Sequence, residues 1–207
     1  MPELEAKKKP QDKDKARAST TDPEATVMKM ADGGFRPAYN VQFSTDTHSQ
    51  IIVGVEVTTC GSDQGQMAPM VEQVQERFEQ RPKEVLVDGG FAAHDDIEAI
   101  STLDKGCVVY APVPKPKKEG MDRHAPHAGD SPVVAAWRAR MATEAAKAIY
   151  KDRAATAECV NAQARNRGLR QLTVRGRLKA KAVALWYAVA HNLLRAVSLR
   201  AARLAPV

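Results

Sequence analysis

The sequence predicts an α/β fold, a mixed sheet flanked by helices with a helical C-terminal part. Three observations predict it. Residues 51–58 (IIVGVEVT), 84–87 (EVLV) and 107–111 (CVVYA) are apolar, β-branched runs of strand length. Between the first two, Met67, Met70, Val71, Val74 and Phe78 recur at helical spacing. A helix between strands at this spacing implies a crossover and a mixed sheet. Beyond Ser131-Pro132 the chain turns Ala-rich, with the hydroxyl and the proline that open a helix.

The totals limit the class of protein. A chain of 207 residues with 43% hydrophobic content can bury one real core. Cys60, Cys107 and Cys159 are isolated, which argues against a zinc site or a disulfide framework and for a reducing, cytoplasmic setting. The first residues contain no apolar run, so no secretory signal is read there. No uninterrupted apolar stretch reaches ~18 residues, so the reading excludes a membrane span. Lys and Arg number 31 against 25 Asp and Glu, a formal charge of +6. That excess suits a polyanionic partner.

In chain order, residues 1–26 are polar and charged and read as a disordered linker. The domain then runs over 27–205. Residues 38–45 (AYNVQFST) alternate as a half-buried strand does, and they pair with 51–58 as an antiparallel hairpin. Asp46 and His48 sit at its polar tip. A helix over 64–80 ends at Arg81-Pro82. The strand 84–87 ends on Asp88, and Gly89 and Gly90 follow. Ligands collect beyond the carboxyl ends of strands in open α/β sheets, which makes Asp88 a candidate. A turn aspartate is the alternative. A short helix over 94–103 and the strand 107–111 complete the sheet.

Residues 112–132 hold five prolines and read as a flexible surface loop, with His124 and His127 exposed on it. One or two helices then cover 133–164, bent near Ala142-Thr143. A basic connection and a last long helix over 177–203 follow, with His191 in a structural role. From Arg165 to Arg203 there are ten Arg or Lys residues and no acid. Arg165, Arg167, Arg170, Arg175 and Arg177 crowd into the start of that span. A phosphate backbone is their natural partner. Few aromatics are interleaved, so stacking on single strands is disfavoured.

The segment AIYKDRAATAECVNAQARNRG carries Tyr150, Arg153, Glu158 and Arg165. It resembles the tyrosine–arginine–glutamate–lysine signature of DDE-type bacterial insertion-sequence transposases. KEVLVDGGF resembles the strand that bears the second acid of that family. Residues 31–58 resemble its hairpin, and VALWYAVAHNLLR its closing helix. The resemblance implies an RNase H-like fold and Asp88 and Glu158 as catalytic, metal-holding carboxylates. It also implies phosphate contacts from Tyr150, Arg153 and Arg165, where Arg165 stands in place of the usual lysine. A planar fork replaces a point charge there. The implied cofactor is Mg²⁺ or Mn²⁺ in a two-metal site. The implied partner is double-stranded DNA, the element ends and the target, in a bacterial, nucleoid-associated setting. It admits a homo-oligomer.

At ~100° per residue, a continuous helix would put Tyr150, Glu158 and Arg165 within an arc of roughly 80°, with Arg153 about 60° to the other side of Tyr150.

The family's first acid has no obvious strand to sit on upstream of Ala38, and Asp32 and Asp46 remain as substitutes. The chain therefore reads as the C-terminal portion of a longer transposase, impaired in strand transfer. A non-catalytic DNA-binding remnant is the alternative function, and another RNase H-like nuclease a third.

Overall fold

The computed structural model of the protein describes residues 19–30, 32–101, 106–116 and 120–204. The chain divides into two compact units. The first takes Met1–Phe43, Val55–Gly61 and Ala164–Val207, and the second takes Ser44–Gly54 and Ser62–Gln163. The elements are α/β in composition, as the sequence predicts.

The first unit opens with a hairpin that the sequence reading did not contain. Strands β1 (Thr26–Lys29) and β2 (Phe35–Ala38) pair antiparallel, with Val27 opposite Pro37. Pro37 lacks an N–H, which a two-stranded edge tolerates. Residues 1–18 of the expected linker lie outside the described residues. Residues 19–25 are tied down through Asp22, whose Oδ2 accepts from the Tyr39 hydroxyl at 2.8 Å and from the Gly176 amide at 3.0 Å.

Strands β3 (Asn40–Thr45) and β4 (Ile52–Thr58) are hydrogen-bonded neighbours. The connection over 46–51 is too short for anything but antiparallel pairing. Its tip closes by Asp46 N–H to the Ile51 carbonyl at 2.9 Å.

The second unit holds the main core. Helix α1 (Met67–Phe78) leads to β5 (Glu84–Leu86), helix α2 (His94–Ser101) and β6 (Val108–Tyr110). β5 and β6 run parallel, Val85 opposite Val109, as a crossover through α2 requires. Helices α3 (Pro132–Ala142) and α4 (Glu144–Arg153) follow. Ser131 accepts from the Val134 amide with Pro132 behind it, and Thr143 accepts from the Ala146 amide. These two caps start α3 and separate it from α4. Trp137 is wholly buried, and its Nε1 donates to the Ala111 carbonyl at 3.2 Å. Met67, Ile97, Ile100 and Val109 pack in the same cluster.

Three expectations need correction. A single mixed sheet is not formed among the described residues; there are three separate two-stranded pairs. Hairpins close over short loops at small entropic cost, whereas β5 and β6, three residues each, offer little ladder for a third strand. The second concerns residues 112–132, expected as a flexible loop and described except for 117–119. Val113 is buried, and Arg138 of α3 holds the segment from below. The Arg138 Nε donates to Asp130 Oδ2 at 2.7 Å and its Nη1 to the Arg123 carbonyl at 3.3 Å, both carboxylate and guanidinium being buried.

Third, His124 and His127 are half-buried rather than exposed. Nδ1 of His124 lies 3.3 Å from the Arg138 carbonyl, and the His127 amide donates to Asp130 Oδ2 at 2.8 Å. The last helix, α6 once α5 (Cys159–Asn166) is numbered, spans Arg177–Leu204 and is long and apolar enough, by length and composition alone, to cross a membrane, although cations at both ends interrupt its apolar run. Ala180, Ala184, Ala188 and His191 form its buried face, while Trp186, Val189, Leu193 and Val197 are exposed.

The Asp130–Arg138 pair gives a pH prediction. Burial raises the Asp130 carboxyl, but the His127 amide and the Arg138 guanidinium outweigh it and hold it below the usual range. A carboxylate depressed on folding adds stability above its unfolded pKa of about 3.9 and loses it as pH falls toward its folded value. The stability advantage of the native chain over Asp130→Asn should therefore shrink below about pH 4. Urea unfolding at pH 7 and pH 3 reads the difference.

Candidate active site

Asp88 stands just past the end of β5. Val87 still donates to the Tyr110 carbonyl at 3.0 Å, which continues the pairing to the last residue before it. Asp88 then caps a single 3₁₀ turn over Gly89–Phe91, with its Oδ1 accepting from the Gly90 amide at 2.8 Å. A side chain at Gly90 would meet Asp88 Oδ1 at 3.0 Å and Asp63 Oδ2 at 3.3 Å. Two carboxylates approach one backbone position there, and a side chain would have to displace them by a few tenths of an ångström. Asp63 is the residue that sequence reasoning missed. It stands in the break after β4, where no periodic signal marks it.

Tyr150, Arg153 and Glu158 come together on one stretch. Helix α4 does not continue as α-helix. Residues Ala154–Glu158 form a π-turn, and α5 (Cys159–Asn166) resumes beyond it. In an α-helix, residues five apart point roughly 140° away from each other. A π-turn closes i→i+5 bonds and stacks them instead. Arg153 Nη2 accordingly donates to Glu158 Oε1 at 2.6 Å. The Arg153 guanidinium also lies 5.6 Å over the Tyr150 ring. The continuous-helix arc expected for these residues is replaced by this local pairing.

Burial pushes the Tyr150 hydroxyl up, the Arg153 guanidinium opposes it, and the carboxylates of Asp88 and Glu158 push it further. Tyr150 thus feels both acids, and the net rise keeps it a protonated donor at neutral pH. Beside it opens a cavity of about 260 Å³ with Pro112, Val113 and Met141 as apolar wall and Arg123, His124 and Lys147 as cationic rim. Lys147 is partly committed to Glu144 at 2.7 Å.

Asp88 and Glu158 each use one carboxylate oxygen in hydrogen bonds to described residues, Oδ1 and Oε1. Their other oxygens are hard donors of the kind Mg²⁺ takes with water and phosphate. Among the described residues no three His, Cys, Asp or Glu side chains converge as a cage. One or two carboxylates suffice for Mg²⁺ when phosphate completes the shell, so the donor set fits.

Of the two substitute acids, Asp32 belongs to the first unit and pairs with Arg36 on an exposed turn. Asp46 belongs to the second unit with Asp88 and Glu158. Its Oδ2 accepts from the Ser49 amide at 2.7 Å. Gln50, four residues on, donates from Nε2 to the Ala155 carbonyl in the π-turn at 2.8 Å. The Asp46 turn therefore touches the segment that carries Glu158.

The arginine cluster lies in the first unit. Arg165, Arg167, Arg170, Arg175 and Arg177 are exposed. Arg177 is drawn inward, its amide donating to Glu24 Oε2 at 3.0 Å and its guanidinium 3.8 Å from Glu56. The other four form no ion pair with a described residue. Gly176, at φ +86°, makes the turn into α6 that a side chain would strain.

No curated protein and no solved structure gives a match. Residues 107–197 match the family model described as the transposase DDE domain, and that match supports a DDE transposase.

Proposed function

We propose that this chain carries the phosphoryl-transfer chemistry of an insertion-sequence DDE transposase on an RNase H-like body. The observation that carries the reading is the meeting of Tyr150, Arg153 and Glu158 on the π-turn, with the Asp88 charge acting on the same phenol. Asp88 and Glu158 are the catalytic carboxylates. The family's first acid is left unassigned, since no third carboxylate converges with Asp88 and Glu158 among the described residues. Strand transfer is therefore expected to be impaired, and single-strand nicking is the activity through which the two carboxylates are tested.

Asp88 and Glu158 would hold a divalent cation, Mg²⁺ or Mn²⁺. When bound, such an ion supplies electrostatic stabilisation of charge on the scissile phosphate. Arg153 holds Glu158 by one oxygen and leaves the other outward. Tyr150 keeps its proton and offers a hydroxyl donor to a phosphate oxygen. The apolar wall behind it limits water around these groups. Arg165, Arg167, Arg170 and Arg175 bind the DNA backbone as exposed cations, and Arg177 adds less because its guanidinium is shared with Glu56.

The alternative, a non-catalytic DNA-binding remnant, shares the binding half of this account and differs in the chemistry. Binding is tested by salt titration of affinity for a DNA duplex. Four phosphate contacts give a log–log slope of about −4, and Arg170→Ala with Arg175→Ala lowers it by about 2. A slope unchanged by the double substitution would remove the segment from the DNA interface.

A further inference from the structure

We infer that Gln50 and Thr156 are positioning residues that hold the π-turn, and through it the direction of Glu158. The inference rests on the reading of Glu158 as a catalytic acid. A π-turn is uncommon because its widened ring packs and bonds less well than an α-helical one, and it persists where something holds it. Here two side chains do. Thr156 is buried, and its Oγ1 donates to the Asp152 carbonyl at 2.8 Å and lies 3.3 Å from the Arg153 carbonyl. Gln50 reaches Ala155 from a different part of the chain, giving its Nε2 to that carbonyl at 2.8 Å. The carbonyls at the start of the widened turn, those of Asp152, Arg153 and Ala155, are thus supplied with side-chain donors.

Gln50 bears a cost in doing so. Its φ is +59°, a conformation that a non-glycine residue rarely adopts. Strain of this kind is kept where the surroundings fix it and the geometry has a use. Its amide is bonded to the Asp46 carbonyl at 2.9 Å, so the same residue closes the Asp46 turn and clasps the turn that aims Glu158. Without the π-turn, Arg153 and Glu158 would point apart and the 2.6 Å pair would open. Gln50 touches no reacting atom; it acts through Ala155, and Thr156 acts through its own turn.

The test uses the full chain with Gln50→Gly, Thr156→Val and Thr156→Ser. Gln50→Gly is chosen because glycine suits the positive φ while removing the amide, so a role in the hairpin turn alone would be preserved or improved. Two readouts are taken: amide hydrogen exchange over residues 150–163 in metal-free protein, and the Mg²⁺ concentration for half-maximal nicking of supercoiled DNA. Exchange should quicken about tenfold in Gln50→Gly and Thr156→Val, and the Mg²⁺ midpoint should rise about 10–100-fold, the range for groups that orient a metal ligand. Thr156→Ser should restore both.

Unchanged exchange overturns the inference whatever the nicking does. Faster exchange with an unmoved Mg²⁺ midpoint leaves the two residues structural and also overturns it. A native chain that nicks at no Mg²⁺ concentration defeats the functional reading itself, and the inference falls with it.

Discussion

Asp88→Asn and Glu158→Gln should each lower metal-dependent DNA nicking by about 10³-fold or more while leaving DNA affinity within a few-fold of native. Both exchanges keep the shape of the side chain and remove its charge. Asp88 keeps an oxygen for the Gly90 amide, so its 3₁₀ turn survives. Glu158→Gln weakens the Arg153 pair, but that pair is half exposed on the glutamate side and contributes little to stability. A large loss of activity without loss of folding is therefore the signature of a reacting group. If the residues act as a unit, the double variant is no worse than either single one. Plasmid nicking at saturating Mg²⁺, with melting curves beside it, separates the two effects.

Trp137→Ala should destabilise the second unit by about 3–5 kcal/mol, the usual loss for a buried large aromatic. Trp137 is fully enclosed, and its indole N–H satisfies the Ala111 carbonyl at the end of β6. Truncation opens a cavity and orphans a buried acceptor at once. With total stabilities of about 5–15 kcal/mol, such a loss takes a large share. The effect should reach the site as well. Trp137 seats α3 against β6, and α4 and the π-turn continue from α3. Trp137→Phe refills most of the volume but not the hydrogen bond, and should recover more than half of the loss. Urea unfolding of the three proteins measures it; equal midpoints would contradict the packing described.

What the sequence revealed depended on how local each signal was. Ser131-Pro132 and Thr143 marked helix ends because capping is a short-range hydrogen bond written in neighbouring residues. The strand before Asp88 was legible because its apolar run stops at two glycines. The π-turn was not, since one extra residue in a helix leaves apolar spacing nearly intact. Its support from Gln50 spans 105 positions in sequence and has no local trace. The β1–β2 hairpin was missed because Val27 and Phe35 are largely exposed, so no alternation announced it. Arg138 was hidden inside an apolar helix, and with it the reason that residues 120–131 pack down on α3. Asp63 had only proximity to Gly90 to recommend it, and proximity is a property of the fold.

The most direct test of the central claim is nicking of supercoiled plasmid by the native chain, by Asp88→Asn and by Glu158→Gln across a Mg²⁺ titration, with chelator as the zero point. The account predicts nicking that vanishes with chelator and is lost in both variants. Nicking that survives chelation, or a variant of either carboxylate that cuts like the native chain, would contradict the assignment of Asp88 and Glu158 to one metal-dependent site.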